Sequence, residues 1–104
     1  MAYRVTVSAD AYDDLDNILD YLVFVLKNDQ AALSVLDDFE KTMDVLKETA
    51  GSYGLCSNPK LSRRGYRRIN FRKHEYFMLY RIKDGTAVVD KIFHSLQDYE
   101  SKIR

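Results

Sequence analysis

The spacing of apolar positions changes twice along this chain. Tyr3, Val5 and Val7 alternate with Arg4 and Thr6, the period of two that marks a half-buried strand. Beyond Ser8 the period lengthens. Ala11, Leu15, Ile18, Leu19, Leu22 and Leu26 recur at steps of three and four, which lines one face of a helix running to about Asn28. Ser8 occupies the N-cap position, and Asp10, Asp13 and Asp14 crowd the first turns, where the positive end of the helix dipole favours carboxylates. A second helix, capped by Asp29, carries Ala32, Leu36, Phe39, Met43 and Leu46 on one face and is stopped by Gly51. The first half therefore predicts a strand followed by a helical hairpin.

Ser52 to Gly65 holds the only proline, Pro59, together with Gly54, Ser57, Asn58 and Gly65, and reads as a loop. From Tyr66 the period returns to two. Glu75 to Lys83 is strand-like, and Asp84-Gly85, a favoured pair for a type I′ turn, joins it to a further strand over Thr86 to His94. With a turn about Lys73-His74, Phe71 faces Tyr76, Ile69 faces Met78 and Arg67 faces Tyr80. The apolar set Ile69, Phe71, Tyr76, Met78, Tyr80 and Ile82 should then meet the helices, leaving Arg68, Asn70, Phe77, Leu79 and Arg81 on the open face. Ser95 can cap a short helix to Arg104, with Leu96, Tyr99 and Ile103 inward. The expected class is α+β, in the order β-α-α-β-β-β-α, with the hairpin packed on a mostly antiparallel sheet in a single domain of residues 1–104.

Composition agrees with a small domain that holds itself together without staples. The chain has 104 residues, 46% of them apolar, including 8 Tyr and 5 Phe. Its one cysteine, Cys56, cannot pair within the chain, and no basic-then-apolar leader opens it, so a reducing cytoplasm is the expected compartment. The uncharged run Tyr21 to Leu26 falls far short of the about 20 residues a membrane span requires, so no membrane association is expected.

A formal net charge of zero conceals a polarised chain. Residues 1–50 carry 4 basic and 11 acidic side chains, and residues 51–104 carry 12 basic and 5 acidic ones, balances of −7 and +7. Lys60 to Lys73 alone holds seven cations and no acid. Two readings follow: an anionic partner for the second half, or internal neutralisation and a solvated surface.

Gly-rich phosphate loops, paired cysteines and His-x-x-x-His spacing are all absent, which removes P-loop, Rossmann and zinc readings; no cofactor and no metal is expected. Cys56 lacks an identified base partner, and Asp13, Asp14, Asp16 and Asp20 match a solvated helix face. What remains is a basic, aromatic-laced sheet with His94 at the end of its last strand. Metal-free RNA cleavage requires a group that takes the 2′-hydroxyl proton, one that protonates the leaving oxygen, and cations on the phosphate. His94, Tyr99 and the arginines are of those types. Each also has a structural alternative: His94 capping backbone, Tyr99 in the core, Arg81 paired with Glu75 or Asp90.

The ordered words Tyr3-Arg-Val-Thr-Val-Ser8, Gly65-Tyr-Arg-Arg-Ile-Asn-Phe71, Tyr76-Phe-Met-Leu-Tyr-Arg-Ile82, Asp84-Gly85 and Ile92-Phe-His-Ser-Leu-Gln-Asp-Tyr99 resemble the RelE/ParE-type toxins of type II toxin-antitoxin modules over almost the whole chain. The resemblance implies a cognate antitoxin as partner and the concave sheet surface as the functional face. It leaves the target open, since the family divides into ribosome-dependent messenger-RNA endonucleases, DNA-gyrase poisons and members whose target is unknown. On the endonuclease reading, His94, Arg81 and Arg68 form the catalytic set. Arg67, Arg72, Lys73 and Tyr99 then position RNA on the ribosome. Departures are visible: Phe77 stands where the strongest nucleases tend to place an arginine, and Asn70 where a lysine often lies. A ribosome-dependent endonuclease is the leading expectation, with a gyrase inhibitor and a non-catalytic binding module as alternatives.

Overall fold

The computed structural model describes residues 2–97, and the expected architecture is present in them. In chain order the elements are β1 (Arg4–Val7), α1 (Ala9–Asp20), a π-helical turn (Tyr21–Val25), α2 (Asp29–Thr49), a 3₁₀ turn (Ala50–Ser52), α3 (Pro59–Arg63), β2 (Arg67–Asn70), β3 (Tyr76–Lys83) and β4 (Thr86–His94). The sheet runs β1-β4-β3-β2, with β1 parallel to β4 and the other pairs antiparallel. The expected register holds, Arg67 opposite Tyr80 and Ile69 opposite Met78. Asp84 and Gly85 both adopt positive φ, 51° and 75°, as a type I′ turn demands.

The helix side of the sheet is the main core. Ala11, Leu15, Val35, Phe39 and Leu46 from the helices pack on Ile69, Phe71, Met78, Tyr80, Val89 and Ile92. Tyr80 is fully buried and donates its hydroxyl to the Ala50 carbonyl at 2.6 Å. Burial pushes that phenol up to about 12. No helix among the described residues is long and apolar enough to cross a membrane.

Five details differ from the sequence reading. First, α1 does not continue as an α-helix to Asn28. The unbroken apolar run Tyr21–Leu26 has no period of 3.6, and the extra residue of the π turn, closed by the Leu26 N–H on the Tyr21 carbonyl, buries Leu22 while leaving Phe24, Val25 and Leu26 exposed. Second, Asn28, not Asp29, caps α2, its side chain accepting from the Ala31 N–H.

Third, the segment read as a loop contains α3. Asn58 caps it by accepting from the Lys60 and Leu61 N–H groups, Pro59 opens it, and Gly65 closes it at φ 81°. The Tyr66 N–H on the Leu61 carbonyl and the Gly65 N–H on the Ser62 carbonyl form a Schellman ending. Fourth, α3 covers part of the face expected to be open. Leu61, Tyr66, Phe77, Leu79 and Phe93 make a second buried cluster, so Phe77 and Leu79 are core residues. Fifth, Ser95 to Gln97 form a turn with Leu96 exposed, not inward. The rest of the expected C-terminal helix, Tyr99 included, lies outside the described residues.

Candidate functional site

The open face of the sheet is built from alternate residues of β2 and β3. Arg68 lies opposite Leu79, its guanidinium 3.7 Å above the centre of the Phe77 ring and its Nε donating to Asn70 Oδ1 at 2.9 Å. The flat cation thus rests on an aromatic plane. Phe77 in turn packs against Phe93, with ring centres 5.8 Å apart.

Arg81 is held differently. A register shift between Leu79 and Tyr80 inserts Asp90 into β4, and this bulge turns its carboxylate toward Arg81. Nε and Nη2 of Arg81 both lie 2.9 Å from Asp90 Oδ2, and the guanidinium sits 4.9 Å from the Tyr66 ring centre. Burial, and then the Asp90 charge, push the Tyr66 phenol up. Arg81 is therefore the ion-paired member of a Tyr66–Asp90–Arg81 group.

His94 is elsewhere. It pairs with Tyr76, which packs on the helix-side core, and the two rings meet edge-on at 5.2 Å. Its Nδ1 accepts the Leu96 N–H at 3.1 Å, which leaves Nε2 as the protonated nitrogen of the neutral ring. Its backbone N–H donates to Gln97 Oε1 at 3.0 Å. His94 thus organises the chain where β4 ends, on the face opposite Arg68 and Arg81. The three residues expected to form one catalytic set are not brought together.

The other three cations expected at the site fall into two groups. Arg67 faces the helix side, where a guanidinium nitrogen donates to the Tyr53 carbonyl. Arg72 and Lys73 belong to the β2–β3 turn and are exposed. That turn is gripped by Asp38 of α2, whose buried carboxylate accepts the N–H groups of Arg72 (3.0 Å), Lys73 (2.9 Å) and His74 (2.8 Å). Ser34 and His74 Nε2 add a 2.9 Å contact. Arg72 also lines a groove of about 570 Å³ along α2 with Lys41, Asp44 and Glu48.

The ends of the charged segments behave as partly separate systems. Lys41 pairs with Asp37, Lys47 with Asp44 and Arg81 with Asp90, each within its own half of the chain. Lys91 pairs with Asp10 across the halves at 3.1 Å, a contact that raises the ammonium's pKa. Asp14 departs from the solvated face expected for it: half-buried, it accepts the Ile92 N–H at 2.9 Å, and burial raises its carboxyl. No group of His, Cys, Asp and Glu among the described residues is arranged to hold a metal ion.

The sequence singles out neither Asp38 nor Tyr66, whereas it offers Asp90, beside Glu75, as an ion-pair partner for Arg81, and the structure makes that pair. Asp38 had left a signal: it falls on the buried stripe of α2 with Val35, Phe39, Thr42 and Leu46, where an unpartnered carboxylate would be costly. The choice of Asp90 over Glu75 left none, because a bulge position is not written in a period of two.

Solved structures that share the fold include two toxin-antitoxin systems. The chromosomal ParDE system from P. aeruginosa matches with a TM-score of 0.72 and 22% identity, covering 89% of this chain and 96% of that one. The toxin-antitoxin complex RelBE2 from Mycobacterium tuberculosis matches with a TM-score of 0.59 and 20% identity, covering 90% and 99%. No curated sequence gives a significant match. The family model for the ParE toxin of type II toxin-antitoxin systems spans residues 5–99, nearly all of the described fold, and the chain belongs to that family.

Proposed function

We propose that this toxin acts by binding its target, in the manner of the gyrase-directed branch of the family, and not by cutting messenger RNA. The observation that carries the reading is the separation of His94 from Arg68 and Arg81 by the thickness of the sheet. A proton-transfer group has to reach the atom whose proton it moves, and the arginines have to reach the same phosphate. Support also comes from the occupied Nδ1 of His94 and from the ion pair that neutralises Arg81. Two stacked arginines on buried aromatic rings suit a rigid docking surface.

The natural restraint on such a toxin is an antitoxin polypeptide, a reading supported by the family and by structural matches that are toxin-antitoxin systems. The exposed cations of α3 and of the β2–β3 turn give an acidic, partly disordered segment a surface on which to order. The ribosome-dependent endonuclease is the second reading, favoured by Arg68, whose guanidinium remains on the open face.

Expression of the wild type and of His94→Gln tests the proposal. Both should arrest growth, with gyrase-linked DNA breaks and intact messenger RNA. Cleavage of messenger RNA on ribosomes that disappears in His94→Gln would overturn it in favour of the nuclease.

A further inference from the structure

A cleft of about 620 Å³ lies between α1 and the adjoining ends of β3 and β4, on the helix side of the sheet and away from the basic face. Asp14, Asn17, Tyr21, Tyr76, His94 and Gln97 line it. Its composition is unlike the rest of the acidic α1 surface: one carboxylate and two amides stand among the apolar Ile18, Ile92 and Phe93 and the rings of Tyr21, Tyr76 and His94, around an open cleft whose volume is in the range of ligand pockets. The rings are set by structure. Tyr76 and His94 are fixed edge-on by strand pairing, and Tyr21 is the first residue of the π turn, a distortion that often marks functional positions. Tyr76 is partly withdrawn from water, and burial together with the neighbouring Tyr21 pushes its phenol up.

We infer that this cleft is a binding site for a guanidinium group, supplied by an arginine side chain of a polypeptide partner. A planar delocalised cation is attracted to the faces of tyrosine rings and donates in a fork that a carboxylate and amide oxygens accept. Asp14 is the one formally charged group among the described lining residues. It already tolerates burial with a single backbone donor, Ile92, and a second, charged donor would offset the cost recorded in its raised pKa. A compact ammonium matches the site less well, because it is more strongly hydrated and has no plane to lay against a ring. The site goes beyond the target proposed above and is independent of whether that target is gyrase or the ribosome.

The test is an NMR titration of the full-length protein with N-acetyl-arginine amide, its neutral citrulline analogue, and spermidine. The arginine compound should give saturable shifts confined to Asn17, Tyr21, Tyr76, His94 and Gln97, and the citrulline compound none. Asp14→Asn keeps an oxygen for the Ile92 N–H, so it should fold, and it should weaken arginine binding about tenfold, as should Tyr76→Leu. Equal binding by spermidine, shifts spread along Asp13 and Asp16 without saturation, or undiminished affinity in Asp14→Asn would each overturn the assignment.

Discussion

His94 and Arg81 project from opposite faces of one sheet, His94 against Tyr76 on the helix side and Arg81 against Asp90 on the other. Among the described residues they share no partner. Residues that act as one catalytic unit show strongly non-additive effects, whereas separated ones add. Combining His94→Gln with Arg81→Gln should therefore give an inhibitory dose within about twofold of the product of the single effects, measured as growth rate against induced toxin. A double variant no worse than the weaker single one would place both in one site.

The carboxylate of Asp38 grips the β2–β3 turn through three backbone N–H groups. Asp38→Ala removes the acceptor for three backbone donors and should cost on the order of 3 kcal/mol. Asp38→Asn, which keeps one acceptor oxygen, should cost less. Urea unfolding gives the totals, and amide exchange at residues 72–74 should accelerate more than exchange in β4.

Asp14 gives stability an acid-side dependence of known sign. Its folded carboxyl is raised above the ordinary 3.8, so its contribution is fully present below that value and is lost as pH rises through the folded pKa. Asp14→Asn should thus be more stable than wild type at pH 7, with the difference vanishing toward pH 3. Thermal unfolding across that range checks it, and equal midpoints at pH 7 would contradict the burial argument. Greater stability together with weaker arginine binding would be the signature of a site kept for function.

Tyr80 acts at the other end of the scale. With its phenol pushed up to about 12, its contribution is intact below pH 10 and is lost between pH 10 and 12, on the order of 3 kcal/mol in all. Tyr80→Phe should lose about 1 kcal/mol at neutral pH with the Ala50 hydrogen bond, and should unfold with a flatter alkaline slope.

Leu61 anchors α3 over the second cluster and is 2% exposed. Leu61→Ala should cost about 2 to 4 kcal/mol and uncover Phe77, Leu79 and Phe93. A loss below 1 kcal/mol in urea unfolding would mean that α3 is only loosely attached.

Much of this protein was written locally. The alternation of Tyr3 to Val7, the inward face of α1 as far as Leu22, the Asp84-Gly85 turn and the register of β2 against β3 follow from periods of two and 3.6 and from turn chemistry, and the structure reproduces them, while the buried face of α2 keeps Ala32, Phe39 and Leu46 but turns toward Val35, Asp38 and Thr42. Even α3 had a legible signature in Asn58, Pro59 and Gly65, masked by the general rule that proline and glycine mark loops.

The candidate site was not legible in the same way. Parity along a strand assigns a residue to a face but does not say what covers that face, so alternation alone puts Phe77 and Leu79 in the open, whereas Leu61 and Tyr66 pack over them. Nor can it register a bulge, which breaks parity by one residue and carried Asp90 to Arg81. Residue type determined that His94, Arg68 and Arg81 could do chemistry. Which of them share a space is a long-range packing outcome, settled by how β4 twists past β3 and by where α1 and α3 come to rest, and there the sheet itself stands between the imidazole and the two guanidiniums.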